Sequence, residues 1–184
     1  TKEIEVYVAI KVADALANMA KLLNKSEDYK YYKNLVEKGI SKYNSRFYNP
    51  ITKRYSDGKQ TPNIVALHNN FVPAEERATV IQNLLYSIKA NGDRLDVGTF
   101  GARLFLECMS DLGYTDKALE CFTKDEFPSF KYEIEHGATT LWEQWIEYDG
   151  MCSHNHQMFG GAMTGFYSRL AGITPIEPGY RVVG

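Results

Sequence analysis

Apolar residues in this chain return at helical spacing, segment after segment, with short polar breaks between. Val8, Val12, Leu16, Met19 and Leu23 are separated by 4, 4, 3 and 4 positions and so share one face of a helix. Asn24-Lys25 interrupts the pattern. Ser26, Glu27 and Asp28 then supply a hydroxyl and acidic first turn suited to unpaired N–H groups and the helix dipole. The second face runs Tyr29, Tyr32, Val36, Ile40, Tyr43, Phe47 and ends near Asn49-Pro50, because the residue before a proline avoids the helical region.

The same reading continues downstream. Residues 50–60 read as a loop and 62–70 as a short helix. Pro73 with Glu75 and Glu76 opens a helix carrying Val80, Leu84 and Ile88, with Ile81 and Leu85 beside them, closed by Asn91-Gly92. Phe100, Leu104, Phe105, Cys108, Met109 and Leu112 mark the next helix, and Thr115-Asp116 caps a shorter one through Phe122. Residues 123–138 read as a long irregular loop, 139–145 as one or two helical turns, and 147–156 as a second loop. Phe159, Met163, Phe166 and Leu170 restore the spacing, Gly172 stops it, and the tail from Ile173 reads as extended.

Paired antiparallel helices without a strand-rich block make an all-α domain, suited to a toroid, a solenoid or a bundle. With 44% hydrophobic and 24% charged residues there is material for a core, which excludes a solvated disordered chain. No stretch approaches the roughly 18 apolar residues of a membrane span. A formal net charge of −2 argues against nucleic-acid binding through bulk charge. Cys108, Cys121 and Cys152 are too few for a disulfide framework and read as two core thiols and one loop thiol.

The late loops carry the chemistry. Between Lys131 and Gly161 lie Tyr132, Glu133, Glu135, His136, Trp142, Glu143, Trp145, Glu147, Tyr148, Asp149, His154, Asn155 and His156, including both tryptophans and three of the four histidines. Rings that stack on C–H faces, interleaved with groups that bind hydroxyls, suit a sugar site. Plainer readings stand beside it. Trp142 and Trp145 also suit a core, and Glu143 a surface. The Cys152-Ser153-His154-Asn155-His156 tract has zinc-type ligands but no partner tract, and Cys152 with His154 could make a nucleophile pair.

Gly137-Ala138-Thr139-Thr140-Leu141-Trp142-Glu143-Gln144-Trp145, followed by Ser153-His154-Asn155-His156 and Phe159-Gly160, resembles the C-terminal part of the α-L-rhamnosidase catalytic domain, glycoside hydrolase family 78. Val97 to Leu106, Asp111 to Asp116, Pro128 to Glu135 and Pro62 to Glu76 extend the resemblance over most of the chain. It implies part of an (α/α)6 barrel whose rim loops build a sugar pocket, and inverting hydrolysis of terminal α-L-rhamnose. Glu143 matches the family's general base and His156 its sugar-contacting histidine, with Trp142 and Tyr132 as pocket walls. No metal or cofactor is implied, and the partner is a rhamnose-containing glycoside.

The family's general acid lies in an upstream acidic segment rich in Asp and Arg, and no such string occurs here. Thr1 without a Met, and Arg181-Val182-Val183-Gly184 at the other end, read as cuts in a longer protein. The expectation is therefore a partial barrel over residues 1–172, with 173–184 leading towards a C-terminal β-domain. Such a chain carries the base without the acid and has little hydrolase activity alone. It leaves faces such as Val8/Val12/Leu16 uncovered, which favours a dimer through them. The competing readings are a non-catalytic helical carbohydrate-binding or scaffold domain, and a toroid glycosidase for another sugar.

Overall fold

The computed structural model describes residues 2–145 and 153–184. Two long helices lead, α1 (Lys2–Leu22) and α2 (Ser26–Phe47), packed along their lengths as a hairpin. A minimal antiparallel ribbon follows, β1 (Tyr48–Asn49) paired with β2 (Arg54–Tyr55). Then come α3 (Gln60–His68), a 3-10 turn (Ala74–Glu76), α4 (Arg77–Ala90), α5 (Thr99–Asp111), α6 (Thr115–Phe122) and α7 (Phe130–Glu135). The last helical run changes pitch, from 3-10 (Gln157–Ala162) through one α turn, α8 (Met163–Gly165), to a π turn (Phe166–Leu170). The tail folds back on itself, Pro175 bridging Val183 around a 3-10 turn (Pro178–Tyr180).

The all-α expectation holds, and α2 and α4 bury the anticipated faces; α5 buries Leu104, Phe105, Cys108 and Met109 of its expected face but leaves Phe100 exposed. On α2 Val36 and Tyr43 are buried with Tyr29, Tyr32, Ile40 and Phe47 half-buried, and α4 buries Val80, Leu84 and Ile88. Around Tyr43 the rings of Phe47, Tyr55 and Phe71 gather at 5.0–5.8 Å between centroids. Such contacts add to area burial in fixing the hairpin on the rest of the domain.

On α1 the outcome differs. The stripe Val8, Val12, Leu16, Met19, Leu23 is exposed, and Ile4, Tyr7, Ile10, Ala17 and Ala20 are buried instead. Close approach explains the choice. A Cβ on Gly39 of α2 would stand 2.8 Å from Ile10 Cγ1, so the missing side chain at Gly39 lets α2 close on the Ile10 face of α1 and leaves the other stripe outside. The start of α2 differs too. No side chain caps it, and the acidic first turn of Glu27 and Asp28 alone faces its free N–H groups. Thr115 likewise begins α6 without a side-chain cap.

α3 is the hub. Seven of its residues are buried, including two amides that the surrounding loops satisfy. Asn63 Nδ2 donates to the Gly58 and Lys59 carbonyls (3.2 and 2.7 Å) while its Oδ1 accepts the Tyr55 N–H. Gln60 Nε2 donates to the Arg94 carbonyl and Oε1 accepts the Asp96 N–H, both at 2.9 Å. A buried amide left unpaired costs about 1–3 kcal/mol, so these residues set the paths of residues 54–59 and 94–96. Residues of both stretches line a cleft that also takes in Trp145.

Candidate active site

Residues 139–145 are not the helical turns anticipated from their pattern. They run as irregular chain and pair with the segment returning at 153–156. Glu143 N–H donates to the Ser153 carbonyl and His156 N–H to the Leu141 carbonyl, both at 2.9 Å. β-branched and aromatic residues in Thr139-Thr140-Leu141-Trp142 suit extended chain, and a partner strand satisfies the backbone groups that a helix would satisfy internally.

This pairing brings three of the four anticipated residues together. Trp142 is buried and stacks on His154, with centroids 4.9 Å apart and ring planes 21° from parallel. Glu143 is half-buried, and its Oε2 accepts the Ser153 N–H at 3.0 Å. Its Oε1 makes no hydrogen bond among the described residues, so one carboxylate oxygen is held while the other can take a proton. His156 caps the following 3-10 turn, its Nδ1 accepting the Met158 N–H at 3.1 Å. In the neutral ring that leaves the proton on Nε2, a donor for a hydroxyl.

Tyr132 sits on a different element. The interval expected to be loop contains α7, whose first turn is capped by Ser129, the hydroxyl accepting the Tyr132 N–H at 2.8 Å. The Tyr132 ring stacks on His136 (3.8 Å) and meets Phe127 edge-on (5.6 Å). Of these ring partners Phe127 lines the cleft, and neither belongs to the Glu143 segment.

Trp145 joins the strand to the cleft. Its indole N–H donates to the Val97 carbonyl at 2.7 Å, and its ring packs on Phe159 (4.2 Å) and Phe130 (5.0 Å). The cleft it borders holds about 550 Å³. Phe100, Phe127 and Trp145 supply rings there, and Asp57, Asp96 and Lys59 supply polar groups, Lys59 lying 3.4 Å from Asp96. Sequence reading missed Asp57 and Asp96. Their only signal was proximity to the amides of α3, which the fold alone reveals. Glu147, Tyr148, Asp149 and Cys152 lie outside the described residues, so the zinc and Cys152–His154 alternatives go without a structural reading. Among the described residues no group of three or more His, Cys, Asp or Glu could hold a metal ion. Cys108 and Cys121 are buried free thiols, pushed up to about 12 by burial.

Helical hairpins here carry a carboxylate, an imidazole and stacked rings on the loops that connect them. The family model described as the bacterial α-L-rhamnosidase 6 hairpin glycosidase domain matches residues 1–170. The chain belongs to that family. It is 36% identical over 141 residues to an α-L-rhamnosidase of Streptomyces avermitilis, an alignment covering 70% of this chain and 14% of that protein. The structure of an α-L-rhamnosidase from Dictyoglumus thermophilum superposes with a TM-score of 0.90 at 36% identity, over 96% of this chain and 20% of that one. A Streptomyces avermitilis α-L-rhamnosidase complexed with L-rhamnose gives 0.89 at 28% identity, over 98% and 18%. The chain thus spans about one-fifth of the length of these relatives. No helix among the described residues is long and apolar enough to cross a membrane.

Proposed function

We propose that this chain is part of the catalytic domain of an inverting glycoside hydrolase that removes terminal α-L-rhamnose, and that Glu143 is its general base. The observation that carries the reading is the reciprocal pairing of Glu143 with Ser153, which holds the carboxylate by one oxygen and leaves the other for water. Inversion needs such a base on one face of the sugar and a proton donor on the other, with the carboxyls about 6.5–9.5 Å apart so that a water fits between. Glu143 takes the proton of the attacking water. A second carboxyl, supplied from outside these residues, protonates the departing oxygen.

In this reading His156 Nε2 hydrogen-bonds a sugar hydroxyl, the Trp142–His154 stack backs the strand, and Tyr132 forms a further wall. Residues 1–172 form part of the barrel and 173–184 lead out of it. The exposed stripe Val8/Val12/Leu16 is the face on which further barrel helices, or a second copy of the chain, would pack. Sedimentation at high concentration checks the second copy: a monomer throughout excludes it.

The test of the function is hydrolysis of an aryl α-L-rhamnoside, by this chain and by a full-length enzyme containing it. The full-length enzyme turns over with inversion seen by NMR, and the chain alone is slower by at least the roughly 10²–10⁴-fold that positioned proton transfer is worth. Retention, or equal turnover by the chain alone, overturns the assignment. L-rhamnose also competes better than glucose or mannose, which separates this reading from a toroid for another sugar.

A further inference from the structure

Glu133 of α7 takes no part in the site just described. It is 2% exposed, and its Oε1 is buried without a hydrogen-bond partner. Beside it opens a second cavity of about 540 Å³, walled by Phe122, Phe130, Ile134, Leu141, Met163 and Phe166. The other charged group on its lining is Lys131, which is engaged by Asp125 and, at 3.4 Å, by Glu135. A buried carboxyl thus borders an apolar hollow, and no cation of the described chain pairs with that carboxyl. An unpaired buried acid is costly, and the neighbouring walls would accept a methionine or leucine in its place.

The chemistry of such a hollow is specific. Its volume lies in the range of small-ligand sites, about 300–1,000 Å³, and its lining beside the carboxyl is mostly apolar. A ring or short alkyl body fills the hollow, and a cationic nitrogen pairs with the carboxyl once its buried, unpartnered oxygen turns toward the hollow. A neutral hydroxyl can donate to that oxygen but leaves its buried charge unbalanced, which an ammonium does not. We propose that this cavity is a second binding site, for a small organic amine whose ammonium group pairs with Glu133 and whose apolar body packs on Phe122, Phe130 and Phe166.

Benzylamine is the probe and benzyl alcohol its neutral counterpart, titrated into the chain and followed by NMR. Benzylamine binds saturably at pH 8, and benzyl alcohol at least tenfold more weakly. Burial raises the Glu133 carboxyl to about 7, so amine binding is about tenfold weaker at pH 6 than at pH 8. Glu133→Gln, with its fold checked by circular dichroism, loses at least tenfold in amine affinity. The wild-type chain supplies a test independent of that variant. Saturating benzylamine lowers the Glu133 titration midpoint, read from its carboxyl carbon, by at least about one unit. Equal affinity for amine and alcohol, full affinity in Glu133→Gln, an unmoved midpoint or no binding overturns the proposal. None of these readouts depends on rhamnoside hydrolysis.

Discussion

Glu143 and Ser153 bond each other twice, the Glu143 N–H to the Ser153 carbonyl at 2.9 Å and the Ser153 N–H to Glu143 Oε2 at 3.0 Å. The backbone of one strand and the carboxylate of its neighbour are thereby locked in one relationship. Glu143→Gln keeps an oxygen to accept the Ser153 N–H and removes the capacity to take a proton. In the full-length enzyme it lowers kcat by about 10²–10⁴-fold with an unchanged unfolding midpoint. Steady-state kinetics beside thermal unfolding checks this; a variant that keeps its kcat removes Glu143 from the role of base.

His156 has two separable tasks. Its Nδ1 caps the 3-10 turn through the Met158 N–H, and its Nε2 is the donor proposed for a sugar hydroxyl. Asparagine is a good capping residue and cannot place a donor where Nε2 stands. His156→Asn therefore folds normally and loses about 10–100-fold in kcat/KM, while His156→Ala loses stability as well, by about 1 kcal/mol. Urea unfolding and kcat/KM measured on both variants separate cap from contact.

The helices were legible where one apolar stripe dominates, as in α2 with Val36 and Tyr43 or α4 with Val80, Leu84 and Ile88. α1 carries two stripes, and which one is buried depends on how closely α2 approaches at Gly39, a tertiary fact. The ribbon at Tyr48–Tyr55 had a local signal, Asn49 Oδ1 accepting the N–H groups of Ile51 and Thr52 (2.9 and 3.1 Å). α7 had one as well, Ser129 four positions before Glu133. Both signals are short and lie in stretches whose proline and glycine content read as loop. The irregular segment at 139–143 had none, because the backbone groups that pair with it lie beyond the loop, at 153–156. Glu143, Trp142 and His156 were legible through a motif. Their antiparallel pairing and the cleft acids Asp57 and Asp96 were not.

Gly101 sits where α5 crosses α3. A Cβ there would collide with Thr61 Oγ1 and stand 2.8 Å from Val97 Cβ. Overpacking of this kind costs about 1–3 kcal/mol. Gly101→Ala therefore unfolds at lower urea concentration, and adding Thr61→Ala recovers part of the loss. Because the Val97 carbonyl holds the Trp145 indole, the Trp145 N–H resonance shifts in Gly101→Ala and moves back in the double variant.

Glu133 makes stability depend on pH in a direction opposite to that of a paired acid. Burial lifts its carboxyl from 4.5 to about 7 in the folded chain. The unfolded chain loses that proton first, so folding takes up a proton between these values and stability falls as pH rises through the window. Below the unfolded value both states are protonated and the acid costs no extra. Above about 7 the full cost, on the order of 3 kcal/mol, is present. Glu133→Met removes the titration and fills the space with an apolar chain of similar length. Its stability exceeds that of the parent by at most about 3 kcal/mol at pH 8 and converges towards it near pH 4. Urea midpoints of both proteins from pH 4 to pH 8 give the difference directly, since other titrating groups cancel. A difference that does not grow with pH would show that Glu133 is ionised and solvated in the fold.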